Sequence, residues 1–240
     1  DLQIGLPRGA PFDLKILSKH GVSPKLAAAY AVNGWLTRLG SGVYCFRGDL
    51  LTTEGVLTFL QLKVPGLHVG GRTALAWQGL RHNLEVRPET TLWGTSRFKV
   101  PQWVSQRFPV RYNYRKLFEP RDPSVLTKTI GTPPEVQPGV SVSVPERAVL
   151  EMLSEVGTTQ DMEGARLVFE SVTALRLTVV GALLSCCTSV KTVRLFLSWA
   201  TATKVVDVPA LKKSWKLPTG SRSRWMTRLP NGDLLTLKPE

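Results

Sequence analysis

The stretch that decides the fold runs from Arg8 to Gly48 and reads RGAPFDLKILSKHGVSPKLAAAYAVNGWLTRLGSGVYCFRG. Its first part, residues 11–19, predicts a short helix with several apolar side chains available for burial. Gly21 permits a sharp turn after that helix. Ser23-Pro24 then predicts a second helix, because serine caps free N–H groups and proline loses no hydrogen bond at the first helical position. Two short helices joined by a glycine-containing turn predict a helix-turn-helix.

The second helix is predicted to end at Gly34, and WLTRLGSGVYCF after it forms two short runs around Gly40-Ser41-Gly42. Such alternation about a glycine turn is typical of a β-hairpin. Helix, turn, helix and hairpin follow in the order of a winged helix-turn-helix. On the second helix, four residues at spacings of three and four share one face: Leu26, Ala29, Tyr30 and Asn33. The side chains predicted to pack inward include Tyr30, Trp35, Leu36 and Leu39.

The remainder of the chain mixes helices and strands. A helix is predicted from Thr52 to about Leu62, strands at TTLWG, RYNYR and GVSVSV, and an amphipathic helix from Pro145. Further helices are expected at about 161–175, 178–187 and 190–203, followed by a hairpin through Asn231-Gly232-Asp233. The predicted fold class is therefore α+β. A winged helix-turn-helix domain spans residues 1–88, and a mixed α/β domain with a helical bundle spans residues 89–240.

The charge balance points to a polyanionic partner. The chain has 31 basic and 18 acidic residues, a formal net charge of +13. Such a field attracts nucleic acid or an anionic membrane surface. The three cysteines lack the spacing of a disulfide framework or a zinc site, and no leader opens the sequence. The longest apolar run, LTVVGALLSCC, is too short to span a bilayer. We therefore expect a cytoplasmic protein that does not bind membranes.

The stretch GLHVGGRT, residues 66–73, comes within one residue of a phosphate-binding P-loop. A working P-loop follows a buried strand and carries a lysine that meets the β- and γ-phosphates. Here a helix and Pro65-Gly66 come first, and Arg72 stands in the lysine position, where its wide guanidinium fits poorly. The stretch is therefore interpreted as a glycine turn that begins a helix.

Nothing else in the sequence indicates catalysis. The three histidines, His20, His68 and His82, lack metal-ligand spacing. Glu146, Glu151 and Glu155 are interpreted as the solvated face of a helix. No catalytic residue, metal site or cofactor is predicted.

The helix-turn-helix is the predicted DNA-binding element, because its second helix enters the major groove with its first residues near the bases. Basic and hydroxyl side chains beside the hairpin are expected to contact phosphate or the minor groove. Arg72 is a further candidate for a phosphate contact. The predicted DNA contacts are Ser23, Lys25, Ala28, Arg38, Ser41, Arg47 and Arg72.

A second basic cluster lies near the C-terminus. Six cations crowd into 17 residues, with Trp215 and Trp225 between them. Basic and aromatic residues together suit a nucleic-acid backbone. Alternatively, the cluster is a solvated face whose tryptophans pack on the helices, or a contact for a protein or an RNA. The members of this C-terminal basic patch are Lys212, Lys213, Lys216, Arg222, Arg224 and Arg228.

Four motifs in order resemble the AbiEi-type antitoxins of bacterial type IV toxin–antitoxin systems. They are LPRG (Leu6–Gly9), NGWLTRLGSGVY (Asn33–Tyr44), HVGGRTAL (His68–Leu75) and PERAVLEML (Pro145–Leu153). The resemblance implies an N-terminal winged helix that binds inverted repeats in the promoter of its own operon and represses it. It also implies a C-terminal domain that contributes to DNA binding and neutralises a nucleotidyltransferase-like toxin.

The resemblance further implies a protein that is not an enzyme. We expect a monomer in solution and more than one copy on the operator. Whether antitoxin and toxin touch is left open by the sequence. The alternative function is an RNA- or protein-binding interaction module whose winged helix no longer binds DNA.

Overall fold

The computed structural model describes residues 5–80, 89–132, 139–221, 223–228, 232 and 234–238. The first part of the chain is a winged helix-turn-helix, as predicted. Helices α1 and α2 form the helix-turn-helix, and three antiparallel strands in the order β1-β3-β2 form the sheet that ends in the wing. These elements are β1 (Phe12–Asp13), α1 (Leu14–Lys19), α2 (Pro24–Val32), β2 (Leu36–Gly40) and β3 (Val43–Phe46).

The first helix begins later than predicted, at Leu14 instead of Pro11. Phe12 pairs with Tyr44 in the sheet, which takes residues 12 and 13 out of the helix. Asp13 then becomes the N-cap, and its carboxylate accepts the N–H of Ile16 at 2.8 Å. An aspartate N-cap stabilises a helix start because it satisfies an otherwise unpaired donor.

The buried face of α2 does not coincide with the face that Leu26, Ala29, Tyr30 and Asn33 share. Ala27 is fully buried, and Tyr30 and Ala31 pack against the same core, whereas Leu26 and Ala29 are exposed. The expectation that Trp35 lies in the core is wrong, since 66% of this residue is exposed. Trp35 immediately precedes β2, and its neighbour Leu36 is buried instead, because successive side chains of an extended chain point to opposite sides.

The second part of the chain is built on a five-stranded mixed sheet in the order β6-β5-β4-β8-β7. Strand β4 lies at its centre, antiparallel to β5 and parallel to β8. The sequence motifs TTLWG, RYNYR and GVSVSV supply β5, β6 and β8, as predicted. The strands are β4 (His68–Val69), β5 (Thr90–Gly94), β6 (Val110–Tyr114), β7 (Ile130–Gly131) and β8 (Val142–Ser143).

Helices cover this sheet, and a hairpin of β9 and β10 closes the chain. Helix α7 lies among α4, α8, α9 and α10, so almost all of its residues are buried. The helices are α3 (Thr53–Lys63), α4 (Gly71–Trp77), α5 (Gln102–Ser105), α6 (Ser124–Thr127), α7 (Pro145–Glu155), α8 (Met162–Glu170), α9 (Leu177–Ser185), α10 (Val190–Thr203) and α11 (Val208–Ser214).

The hairpin pairs Trp225–Arg228 with Leu234–Leu237, as predicted, and its turn residues Asn231 and Asp233 lie outside the described residues. No helix in the described part of the chain is both long and apolar enough to cross a bilayer.

Two hydrophobic cores divide the chain. The N-terminal core holds buried residues from Leu6 to Phe46, and the main core holds those from Val56 to Leu237. The central strand β4 therefore belongs to the main core, although it precedes residue 88. The predicted domain boundary at 88 adjoins residues 81–88, which lie outside the described part, and it stays a prediction.

The two cores are joined by direct contacts. Thr52, the N-cap of α3, donates its backbone N–H to the Gly9 carbonyl at 2.8 Å. Lys63 at the end of α3 forms an ion pair with Asp13. These contacts hold the helix-turn-helix against the body that carries the C-terminal basic patch.

Candidate nucleic-acid interface

The start of helix α2 has the geometry expected of a recognition helix. The Ser23 hydroxyl accepts the N–H of Leu26 at 3.2 Å, which confirms Ser23 as the N-cap. Ser23, Lys25 and Ala28 are all exposed. The structure therefore brings these three predicted DNA contacts together at one end of an accessible helix.

Two predicted cations lie on or just after the strands that follow this helix. Arg38 is exposed on β2, and its Nε donates to the Gly40 carbonyl at 3.3 Å. Arg47 follows β3, is exposed, and lies 3.5 Å from the Gly34 carbonyl at the end of α2. Arg47 thus lies beside the C-terminal end of α2, and its role as a phosphate contact stays a prediction.

The wing is short, and its tip rests on the main core. A Cβ at Gly40 would lie 3.1 Å from Cδ1 of Trp103 on α5. Leu39 and Val43, on either side of the turn, also pack against the main core. Ser41 at the tip remains exposed. The wing therefore has a fixed position relative to the main core, and Ser41 is the accessible residue of its turn.

Arg72 lies apart from these residues in the fold. It is half-buried in the first turn of α4, whose neighbours are α7, β5 and β8 in the main core. The helix begins at the glycine turn that the sequence predicted. The role of Arg72 as a phosphate contact stays a prediction.

The glycine turn before α4 is occupied by a protein carboxylate. The Gly71 N–H donates to Glu151 Oε2 at 3.0 Å, so Glu151 takes the anion position at the start of the helix. A Cβ at Gly70 would lie 2.3 Å from the same oxygen. Gly71 has φ of +56°, a conformation that favours glycine. These contacts support the interpretation of GLHVGGRT as a structural turn.

Glu151 also gathers three side-chain donors. Its oxygens accept from His68 at 2.9 Å, Arg147 at 2.8 Å and Ser143 at 2.8 Å. Burial alone would raise the pKa of Glu151, but the charges and hydrogen bonds of His68 and Arg147 outweigh it and hold the pKa at about 2. The second ring nitrogen of His68 faces the Gly66 carbonyl at 2.8 Å. Both ring nitrogens of His68 therefore contact oxygen atoms of the protein, one on Glu151 and one on the chain before β4.

The interpretation of Glu146, Glu151 and Glu155 as a solvated face is wrong, since all three are buried. Glu146 accepts two guanidinium N–H groups of Arg176, each at 2.8 Å. Glu155 accepts from Arg111 at 2.5 Å and from Asn113 at 2.8 Å. The prediction failed because α7 is enclosed, so its carboxylates are paired inside the protein instead of being hydrated.

The described cations of the C-terminal basic patch are exposed, whereas the two tryptophans between them in the sequence are half-buried. Trp215 packs on α9, where a Cβ at Gly181 would lie 2.2 Å from its Nε1. Trp225 is half-buried against the main core. Both tryptophans pack on the protein, as the solvated-face alternative expected, and the role of the patch cations stays a prediction. The exposed members of the patch are Lys212, Lys213, Lys216, Arg224 and Arg228, and Arg222 lies outside the described residues.

A buried arginine fixes the segment that carries the patch. Arg194 on α10 is 2% exposed, and its guanidinium donates to the carbonyls of Thr219, Ser221 and Ser223. Three backbone oxygens thereby replace its hydration shell. This anchor, which sequence analysis missed, sets the position of the chain between α11 and β9. The burial of Arg194 could not be predicted, because an arginine within a helical pattern is ordinarily exposed.

Comparison with known proteins agrees with this architecture. A family model described as "Transcriptional regulator, AbiEi antitoxin, Type IV TA system" matches residues 87–236. A second, described as "Transcriptional regulator, AbiEi antitoxin N-terminal domain", matches residues 1–86. The chain belongs to the AbiEi antitoxin family. It is thereby a member of a family of transcriptional regulators from type IV toxin–antitoxin systems.

A solved structure supports the fold of this AbiEi family member. The crystal structure of the RV2827C protein from Mycobacterium tuberculosis aligns with a TM-score of 0.52 at 13% sequence identity. The alignment covers 91% of this chain and 84% of that one. No curated protein sequence matches the chain. At this identity the likeness concerns the fold alone.

Proposed function

We propose that the protein binds an inverted repeat in the promoter of its own operon and represses transcription. The observation that carries this proposal is the exposed, Ser23-capped helix α2, with exposed Arg47 beside its C-terminal end and exposed Arg38 on β2. In a helix-turn-helix the second helix enters the major groove, and flanking cations bind phosphates. An inverted repeat offers two half-sites, so a protein that is monomeric in solution would bind the operator as more than one copy.

The proposed second activity is neutralisation of a nucleotidyltransferase-like toxin by the C-terminal part of the chain. The exposed C-terminal basic patch supports it, because a cationic surface can bind the toxin itself or a nucleic acid that the toxin uses. Both activities would take place in the cytoplasm. We propose binding instead of catalysis, because the buried carboxylates of α7 are already occupied by arginines, a histidine and backbone donors.

The proposed repressor should bind its own promoter tightly and with strong salt dependence. Each phosphate neutralised by a cation steepens the slope of log affinity against log salt by about 0.9. Gel shifts over a salt series, with the promoter and a scrambled duplex of equal length, would measure both the slope and the preference. Equal affinity for the two duplexes at every salt concentration would rule out specific repression.

Lys25 and Arg47 should contribute in different ways. Lys25→Ala is expected to weaken promoter binding about tenfold and scrambled-duplex binding much less, since base-edge contacts carry about 1–3 kcal/mol of discrimination. Arg47→Ala is expected to weaken both duplexes alike, because phosphate contacts carry no sequence information. Arg97→Ala, an exposed arginine on the main-core body, is the matched control. A full promoter preference in Lys25→Ala would show that α2 is not oriented as proposed.

A further inference from the structure

The face that α2 turns to solvent is almost free of polar groups. Ala27, Tyr30 and Ala31 face the core, so the opposite stripe of the helix points outward. Lys25 supplies the one long donor on that stripe. Val32 lies at its far end and is 86% exposed. The outward stripe consists of Lys25, Ala28, Ala29 and Val32.

The surroundings of this apolar stripe are strongly cationic. Residues 5–49 contain six basic side chains and two carboxylates, Asp13 and Asp49. Asp13 is engaged by the Ile16 N–H and Lys63, and Asp49 by the Gly9 N–H and Arg8. A second copy of the same surface would be repelled by like charges, whereas the phosphates of a DNA groove are complementary. The charges therefore favour DNA as the occupant of this face.

In the major groove, an apolar side chain has one kind of base group to contact. Among the base edges exposed there, the C5-methyl group of thymine is apolar, and the others are hydrogen-bond donors or acceptors. Alanine and valine side chains can pack on that methyl but cannot satisfy the exposed amine of a cytosine. The small alanines also allow the helix backbone to approach the bases closely.

We propose that helix α2 recognises its operator through thymine methyl groups, with Ala28, Ala29 and Val32 as the contacting residues. This inference rests on the proposed DNA-binding function and specifies how the same surface selects its site. The operator half-site then contains A·T pairs whose thymines face the apolar stripe. Lys25 adds a single polar contact near the start of the helix.

Replacing thymine with uracil tests the proposal, because it removes the methyl group and keeps every hydrogen-bonding group and phosphate. The promoter segment and a scrambled duplex are each amplified with either thymidine or deoxyuridine triphosphate. We expect uracil to weaken promoter binding about fourfold for each contacted methyl, from the transfer free energy of one buried methyl-sized group. Binding to the scrambled duplex should not change.

A double-mutant cycle assigns the effect to the protein. Val32→Ala removes two methyl groups from the exposed end of the stripe without disturbing the core, and it should reduce the uracil effect. Leu62→Ala, another exposed apolar residue on α3, should leave the uracil effect unchanged. If the uracil effect is the same in Val32→Ala as in the wild type, the uracil effect belongs to the DNA and the proposal is overturned.

The outcomes separate this inference from the function on which it rests. Preferred binding to the thymine promoter together with equal binding to the uracil promoter would overturn methyl recognition and leave the repressor function intact. No preference for the thymine promoter over the scrambled duplex would overturn both. A preference that falls with uracil, and falls less in Val32→Ala, supports both.

Discussion

Glu151→Ala is expected to lower the free energy of unfolding by about 3–5 kcal/mol, the usual effect of removing one partner of a buried ion pair. Glu151 is 1% exposed and accepts hydrogen bonds from four groups. Its removal would leave the buried side chains of Arg147 and His68 without their carboxylate partner. It would also leave the Gly71 N–H unpaired at the start of α4.

Urea unfolding followed by circular dichroism would measure this effect. Glu119→Ala removes a carboxylate that is exposed in a loop, and it should change stability by less than about 0.5 kcal/mol. Gly70→Ala offers an independent test, since its new Cβ would meet Glu151 Oε2 and Trp93 and so push the same carboxylate from its place. If the two variants Glu151→Ala and Glu119→Ala have the same free energy of unfolding, the structural role of the Glu151 carboxylate is contradicted.

The same carboxylate predicts a specific pH dependence. The pKa of Glu151 is about 2 in the folded protein, compared with an ordinary value of 4.5. A depressed pKa contributes stability that is fully present above about pH 4.5 and is lost as the pH falls towards 2. The stability difference between the wild type and Glu151→Gln should therefore shrink as the pH falls from 4.5 towards 2. A difference that does not change between pH 5 and pH 2.5 would contradict this assignment.

The local parts of the fold could be predicted because their signals are local. Ser23-Pro24, Thr52 and Gly40-Ser41-Gly42 each determine the start of a helix or the turn of a hairpin through neighbouring residues. The winged helix-turn-helix followed from their order. The start of α1 was misplaced because pairing of Phe12 with Tyr44, 32 positions further along the chain, outweighs its local helical pattern.

The buried polar layer could not be predicted because its partners are far apart in sequence. Charged residues at helical spacing usually face water, so Glu146, Glu151 and Glu155 suggested a solvated face. Their arginine and histidine partners lie 30 to 83 positions away, apart from Arg147. Contacts at such separations depend on the sheet that brings them together. The i, i+4 pair of Arg147 and Glu151 was the one local signal of the network.

These distant contacts connect two of the motifs on which the family resemblance rests. HVGGRTAL supplies His68 and the glycine turn, and PERAVLEML supplies Arg147 and Glu151. Each motif completes the hydrogen bonds of the other across the sheet. Their joint role in this chain is therefore to hold α4 on α7.

Replacement of five of the six cations of the C-terminal basic patch is expected to abolish rescue from the toxin and to preserve promoter selectivity. The variant replaces five cations with alanine: Lys212, Lys213, Arg222, Arg224 and Arg228. Its described positions are exposed, and the surrounding chain is held by Arg194 and by the packed Trp215, so the fold should be retained. Helix α2 is untouched, so the promoter should still be preferred over a scrambled duplex.

The matched control removes five exposed cations elsewhere on the main-core body: Arg97, Lys99, Lys116, Arg121 and Lys128. It lowers the net charge equally and should still rescue growth when toxin and antitoxin are expressed together. Full-length variants are needed because a fragment from residue 89 would lack β4, the central strand of the sheet.

The reciprocal variant, Lys25→Ala with Arg47→Ala, should lose repression and keep rescue. Because the two surfaces are far apart in sequence and belong to different cores, each can be disabled while the other stays folded. Circular dichroism of every variant distinguishes loss of contact from loss of fold. If the folded patch variant rescues growth fully, toxin neutralisation resides on another surface. If the control variant fails as well, total charge and not the position of the patch determines rescue.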